Sequence, residues 1–206
     1  MRRLRALFLL APLYAAPLHA QDTSADEAER LKALFEAHKG DFDYLLGDWR
    51  FTAKNADFGE FAGVWSAVRL STGGGAHILD EYRITGEDGE TYYVSSTLRA
   101  YNAARDVWEL VSAADADGLL DVGTARKVGD EMHIEQQFGV ASGKPALWRI
   151  RYYDIRPDRF SWAADRSLDG GKTWQRPYME LEARRVGPAR SLGPLAKPNP
   201  STLRRE

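Results

Sequence analysis

The chain has 206 residues, with 28 Lys and Arg against 30 Asp and Glu, and it contains no cysteine. The lack of cysteine excludes disulfides, thiolate metal sites and a lipid-modified N-terminal cysteine. The slight acidic excess argues against a nucleic-acid partner, which would require a basic face.

The first element, residues 1–20, has the layout of a secretory signal peptide. Arg2, Arg3 and Arg5 form a positive start, Leu4–Leu13 supplies a short apolar run, and the small residue Ala20 ends the segment. Cleavage there leaves 25 Lys and Arg against 30 Asp and Glu, a net charge of about −5. No later stretch approaches the ~18 apolar residues that span a bilayer, so no stable membrane insertion is expected after cleavage. The sequence therefore predicts an exported protein, periplasmic or secreted.

Residues 21–40 follow as a predicted amphipathic helix. Leu31, Leu34 and Phe35 fall on one face at helical spacing, and Gly40 supplies a stop. The apolar stripe is narrow, so the helix should lie on the rest of the domain. It could act as a lid over a cavity mouth or as a cap on the opposite end, and the narrow stripe favours the cap.

Residues 41–186 change to short segments rich in aromatic and β-branched residues, separated by turn signals. Nine turns bound ten strands, and the short connections favour an antiparallel up-and-down barrel over a Greek-key sandwich. Pro177 lies within the last strand, which predicts a bulge or a gap in the ladder there. The turns are expected at 55–59, 73–75, 86–89, 102–106, 115–118, 129–130, 139–145, 156–158 and 167–171.

The last segment, residues 187–206, contains four prolines, few apolar residues and no periodicity. This composition predicts a disordered tail. The predicted fold class is therefore all-β, with one N-terminal helix before the barrel and an irregular tail after it.

A hairpin motif is visible near the end of the barrel region. Ser167, Asp169, Gly171, Thr173 and Trp174 match the S-x-D-x-G-x-T-W pattern of the Asp-box, found in sialidases and related propellers. The serine and aspartate side chains of such a turn satisfy its own backbone, and the tryptophan packs beneath it. The pattern occurs once, without a blade-length repeat, so it predicts a structural hairpin and not glycosidase chemistry.

A second motif opens the barrel region. Gly47 and Trp49 form a G-x-W, which is similar to the start of lipocalin and related calycin barrels. In those barrels the tryptophan plugs the base beneath an arginine from the final strand. Arg184, or its neighbour Arg185, could fill that place here.

Together, the two motifs and the residues around them resemble an uncharacterised bacterial family of exported calycin-like domains, over roughly residues 41–186. The resemblance implies a calycin or lipocalin-like barrel but no specific activity. Nitrobindins are relatives by architecture, and their haem-ligating histidine comes from the C-terminal part of the barrel. This chain has no histidine after His133, so we expect no haem and no other cofactor.

Charged and aromatic strand residues are the candidates for a ligand site. Arg99 and Arg151 could clamp a carboxylate inside the barrel, with Glu81 as counter-ion, because an unpaired buried charge is costly. The alternative is that all three lie on solvent faces. The aromatic residues could wall a pocket, or they could fill a solid interior. The aromatic candidates are Trp65, Trp108, Trp162 and Tyr178.

Catalytic and metal-binding motifs are not apparent. His133 with Glu135 and His77 with Glu81 each share one strand face, but two such pairs without a third histidine indicate solvated polar faces. No nucleophile elbow, phosphate loop or zinc-protease motif occurs. The sequence predicts no catalytic residue and no metal.

Three functions remain open from the sequence. The first is a non-enzymatic carrier of a small hydrophobic or amphipathic ligand. The second is an isomerase or cyclase that uses the same cavity, with Glu81 or His77 as the titrating group. The third is a solid barrel that recognises another protein through its outer face.

Overall fold

The computed structural model describes residues 19–70, 75–115 and 117–192, with side chains from residue 24 onward. The predicted signal peptide and tail therefore lie largely outside the described residues. None of the helices within the described ranges has the length and apolar character needed to cross a membrane. The elements are α1 (His19–His38), a 3-10 turn (Asp43–Leu45), β1 (Gly47–Asn55), β2 (Gly59–Arg69), β3 (His77–Thr85), β4 (Thr91–Asn102), β5 (Val107–Ala114), β6 (Gly118–Val128), β7 (Glu131–Phe138), a second 3-10 turn (Val140–Ser142), β8 (Ala146–Arg156), β9 (Arg159–Ser167), β10 (Gln175–Gly187) and β11 (Arg190–Ser191).

Strands β1 to β10 form a closed antiparallel up-and-down barrel in the described part of the chain. Each strand pairs with the next, and β1 pairs with both β2 and β10. The short β11 runs parallel to the end of β2. The register between β9 and β10 shifts between Gln175 and Met179, so the irregularity expected at Pro177 is present. The predicted fold class is confirmed.

One end of the barrel is packed solid by aromatic and aliphatic side chains. The segment before β1 folds under the barrel, and the indole Nε1 of Trp49 donates a hydrogen bond of 2.7 Å to the carbonyl oxygen of Leu45. The packing continues with edge-to-face ring contacts, between Phe42 and Trp108 and between Trp49 and Phe160. At most 1% of each of six large side chains at this closed end is exposed: Phe42, Leu45, Trp49, Trp108, Tyr152 and Phe160.

Helix α1 lies against this closed end. The rings of Phe35 and His38 lie 6.5 Å and 5.4 Å from the ring of Tyr101, which contacts Trp108 in turn. The His38 ring also bonds Asp41 at 2.8 Å. The helix is therefore a cap on the base of the barrel and not a lid over its mouth.

The arginine that covers Trp49 is Arg185, which corrects the expectation of Arg184. Side chains alternate along β10, so Arg184 faces solvent and the guanidinium of Arg185 lies 4.1 Å from the Trp49 ring centre. Arg185 also donates to the carbonyl oxygens of Leu46, at 2.5 Å, and Tyr44, at 2.9 Å. One side chain thereby ties the last strand to the segment that plugs the base.

We expect Arg185→Ala to lower the free energy of unfolding by about 3 kcal/mol, because it removes a cation–π contact and leaves carbonyl oxygens without donors. Arg184→Ala is the matched control, and its effect should stay within about 0.5 kcal/mol. Urea unfolding followed by tryptophan fluorescence measures both. Equal losses for the two variants would contradict the assignment of Arg185.

The connection between β9 and β10 is held by its own side chains. Asp169 accepts hydrogen bonds from the backbone N–H of Thr173 at 2.9 Å and from its hydroxyl at 2.7 Å. The Ser167 hydroxyl donates to Asp169 at 2.8 Å and accepts from the backbone N–H of Gly171 at 2.8 Å. The indole of Trp174 donates to the carbonyl oxygen of Gly171 at 3.0 Å. These donors lower the pKa of Asp169 to about 2, with the Thr173 backbone N–H as the largest cause.

A folded-state pKa below the ordinary value of 3.8 means that ionised Asp169 stabilises the fold. The contribution is complete above pH 3.8 and is lost as the pH falls towards about 2. We therefore expect Asp169→Asn to have a lower Tm than the wild type at pH 7, and this difference in Tm to shrink as the pH falls towards about 2. Thermal unfolding of both proteins between pH 7 and about pH 2 measures this difference, with Asp130→Asn in the β6–β7 turn as the control variant. A difference in Tm that does not depend on pH would show that the carboxylate charge is not responsible.

Candidate functional site

The end of the barrel opposite α1 is open, and its inner wall is lined by aromatic side chains. Phe51 stacks on Tyr82 with ring centres 4.7 Å apart, and Tyr82 contacts Tyr93. These three rings form one aromatic wall. Phe138 on β7 stacks on Trp148 on β8 with ring centres 4.7 Å apart, and this pair forms a second wall. Nine inward-facing side chains of this half are only partly buried, in contrast to the large side chains of the closed end. They are Phe61, Tyr82, Tyr93, Ser95, Thr97, Gln136, Phe138, Trp148 and Met179.

Small residues make room for these aromatic walls. Gly63 faces inward on β2, where a Cβ atom would lie 2.4 Å from the Phe51 ring and 2.0 Å from the backbone oxygen of Arg83. No other residue fits this position without displacing backbone. Ala53 and Ala114 are also buried on inward-facing positions of their strands. These small residues give the aromatic rings of this half the room in which they pack.

A row of polar side chains crosses the apolar interior from one half to the other. Asp80, Thr97, Ser112 and Asp121 are successive cross-strand partners on β3 to β6. The hydroxyls of Thr97 and Ser112 lie 2.9 Å apart, and the Ser112 hydroxyl donates to Asp121 at 2.9 Å. Asp80 is near the closed-end start of β3, and Asp121 is near the open-end start of β6. We call these four residues the polar row.

The lower end of the polar row is a buried ion pair. Asp80 and Arg99 are 2% and 3% exposed, and the guanidinium of Arg99 bonds the Asp80 carboxylate. The Trp65 indole donates to the other carboxylate oxygen at 2.8 Å. Arg99 also lies 5.3 Å from the ring centre of Phe42 and bonds the Tyr152 hydroxyl at 3.4 Å. The pair thus sits directly on the packed closed end and forms the floor of the open half.

The upper end of the polar row is a carboxylate without a cation. Asp121 is 3% exposed, and its Oδ1 accepts from Ser112 and from the Gln136 amide at 2.5 Å. Gln136 reaches it across Gly123, where a Cβ atom would lie 2.7 Å from the Gln136 side chain. Asp121 forms no salt bridge with any described residue, and burial raises the pKa of its carboxyl while the more distant Arg99 opposes the shift.

Five of the predicted ligand residues lie inside the barrel or at its rim. Trp65, Arg99 and Trp108 belong to the packed half or its floor, and Trp162 is buried on β9. Tyr178 lies at the mouth, where its ring contacts Trp148 and its hydroxyl donates to Asp57 at 3.1 Å. Their placement alone does not test whether they bind a ligand.

The expected clamp of Arg99 and Arg151 around a carboxylate, with Glu81 as counter-ion, does not form. Arg151 points outward, where it lies 5.1 Å from the ring centre of Tyr153 and is about half exposed. Glu81 also points outward and bonds Arg83 at 2.5 Å. Strand alternation explains both positions, because the neighbouring residues Asp80 and Tyr152 take the interior.

The two histidine and carboxylate pairs also lie on the outer face. His77 is exposed, and His133 bonds Glu131 at 2.7 Å in place of Glu135. Nowhere in the described ranges do three or more His, Cys, Asp or Glu residues converge as a metal site would require.

A groove of about 850 Å³ lies at the rim and outer wall, where the β3–β4 hairpin bends over β1, β2 and β10. Its lining includes exposed charged side chains such as Lys54, Glu60 and Glu182. The groove also has apolar lining residues, among them Phe61 and Ile84, but it is open to solvent, so a ligand there would be less enclosed than one inside the barrel.

No family model matches the chain, and no curated protein matches it. The solved structures that are similar to the chain include a lyase and a redesigned barrel. An S-type phycobiliprotein lyase from Guillardia theta is 11% identical, with a TM-score of 0.47, over 71% of this chain and 90% of that one. A redesigned β-barrel bound to the compound DFHBI is 14% identical, with a TM-score of 0.36, over 70% of this chain and 96% of that one.

Proposed function

We propose that the protein is an exported, non-enzymatic binder of a small hydrophobic or amphipathic ligand, held in the open half of the barrel. The predicted signal peptide supports export. The aromatic walls supply apolar contact, and the polar row supplies a few fixed hydrogen-bonding groups, the combination expected of small-molecule sites.

The observation that carries this proposal is the change in burial along the barrel axis. Large side chains at the closed end are at most 1% exposed, whereas Tyr82, Tyr93 and Trp148 face the interior of the open half and are only partly buried. A solid barrel that serves only as an interaction domain would bury such aromatic residues fully. A ligand that covered them would gain about 25 cal/mol for each Å² of apolar surface removed from water.

A second candidate is an enzyme of the isomerase or cyclase type in the same cavity. Glu81 and His77, the titrating groups expected from the sequence, face outward. Asp121 replaces them as the candidate acid–base group, because burial raises the pKa of its carboxyl at the edge of the open half. Native mass spectrometry of the gently purified protein separates the two functions, since a carrier releases its ligand unchanged on denaturation and an enzyme converts it.

We expect Ala114→Trp to weaken the binding of the neutral dye N-phenyl-1-naphthylamine by about tenfold or more, because the indole fills the mouth of the open half. Ala113→Trp is the matched control: Ala113 neighbours Ala114 on β5 but faces solvent. Dye fluorescence titration measures both variants.

Circular dichroism shows whether each variant keeps its fold, and Ala114→Leu is a smaller substitution for the same position. A wild-type protein that leaves the dye unbound would contradict the proposed function. Equal weakening by the two tryptophan variants would place the dye elsewhere than in the open half.

A further inference from the structure

Asp121 is the one buried carboxylate of the polar row that is not neutralised by the described residues. Both of its hydrogen bonds, from Ser112 and Gln136, end on Oδ1. Neither a donor nor a cation among the described side chains reaches Oδ2. Oδ2 is not one of the fully buried side-chain atoms that lack a partner, so it stays within reach of solvent. A ligand donor that replaced this solvent would complete the hydrogen bonding of the carboxylate.

Asp121 lies on the inward face of β6, next to residues that line the open half. Its cross-strand partners are Ser112 and Phe138, and Phe138 belongs to the aromatic wall. Tyr93 faces the same interior, since it shares one face of β4 with Ser95 and Thr97, and Thr97 contacts the Ser112 hydroxyl. A ligand lying against the aromatic rings would therefore bring one end to the Asp121 carboxylate.

The charge balance of the interior favours a ligand with a cationic end over a ligand with an anionic end. Arg99 is already neutralised by Asp80 and is 3% exposed beneath the polar row. Arg166, an inward-facing cation at the mouth, is paired with Asp57 at 2.8 Å. Asp121 then leaves an uncompensated acidic group at the upper end. A carboxylate ligand would meet like charge there, whereas an ammonium would form a charge-assisted hydrogen bond in a poorly hydrated site.

Building on the proposed function, we infer that the ligand is an amphipathic amine, whose ammonium donates a hydrogen bond to Asp121 Oδ2 while its apolar body lies between the two aromatic walls. Ser112 and Gln136 orient the carboxylate by holding Oδ1. The site therefore selects its ligand by the head group as well as by apolar surface.

Three probes of one chain length test the inference: dodecylamine, dodecanol and dodecanoate, each displacing N-phenyl-1-naphthylamine at neutral pH and below its micelle concentration. We expect the wild-type protein to bind dodecylamine about ten- to a hundredfold more tightly than dodecanol, and dodecanoate the most weakly. Asp121→Asn should remove the preference for the amine and leave the affinity for dodecanol nearly unchanged. Glu135→Gln, an exposed acid on the outer face of β7, is the matched control and should keep the preference.

The wild-type series decides the inference even when a variant fails to fold. Dye binding with equal affinities for the three probes, or with dodecanoate the tightest, would overturn the amine assignment and leave the proposed function standing. A protein that binds neither the dye nor any probe would overturn the proposed function itself. An amine preference that persists in Asp121→Asn would overturn the role of Asp121.

Discussion

The buried ion pair of Asp80 and Arg99 divides the barrel into two halves, and the candidate site depends on it. The guanidinium covers Phe42 and Tyr152 on one side, so everything below is packed as a solid core. Above it the interior carries small residues, partly buried rings and hydroxyls. Removing either partner would leave a charge without its counter-ion in a place that water hardly reaches, at a cost of about 3–5 kcal/mol. The pair therefore fixes both the depth of the open half and the polarity of its floor.

The polar row extends this arrangement towards the mouth. Cross-strand neighbours in a barrel lie on a line that runs obliquely to the axis, because the strands are tilted. The hydroxyls of Thr97 and Ser112 thus lie between Asp80 near the base and Asp121 near the mouth, and Ser112 bonds Asp121. The row gives an otherwise apolar interior a single polar side. A ligand in the open half would consequently meet rings on two sides and hydrogen-bonding groups on a third, which restricts its orientation.

Turn chemistry and strand composition were sufficient to predict the number of strands, their antiparallel order and the irregularity at Pro177. They were not sufficient to predict which of two adjacent residues faces inward. A one-residue shift in register reverses the faces of a strand, and the register shifts beside Trp49 and Ser112 have no clear sequence signal. On β10 the register shift lies beyond Arg185, whose inward position follows from alternation with Leu181 and Ala183.

The same uncertainty affected the candidate site. Glu81 was predicted as the counter-ion inside the barrel, but Asp80 is the acid that faces inward and pairs with Arg99. Asp121 lies between two apolar residues on a strand whose other inward positions are Gly123 and Ala125. An acid among small inward-facing residues is the one local pattern that indicates a space beside Asp121. The same pattern is also typical of a solvent-facing acid, so it does not distinguish the two positions.

Closure by β1 and β10 also has a kinetic consequence. The hydrogen bond from Arg185 to the carbonyl oxygen of Leu46 joins residues 139 positions apart, so the ring is completed only by the last strand. Until then the partly folded chain is a curved sheet with two free edges, which can pair with other chains. The other pairings of the barrel join consecutive strands, but closure depends on this distant one. Domains that rely on non-local β pairing fold in roughly milliseconds to seconds, against about microseconds to milliseconds for helical bundles. The final dozen residues of the barrel thus set the time during which the chain is exposed to aggregation.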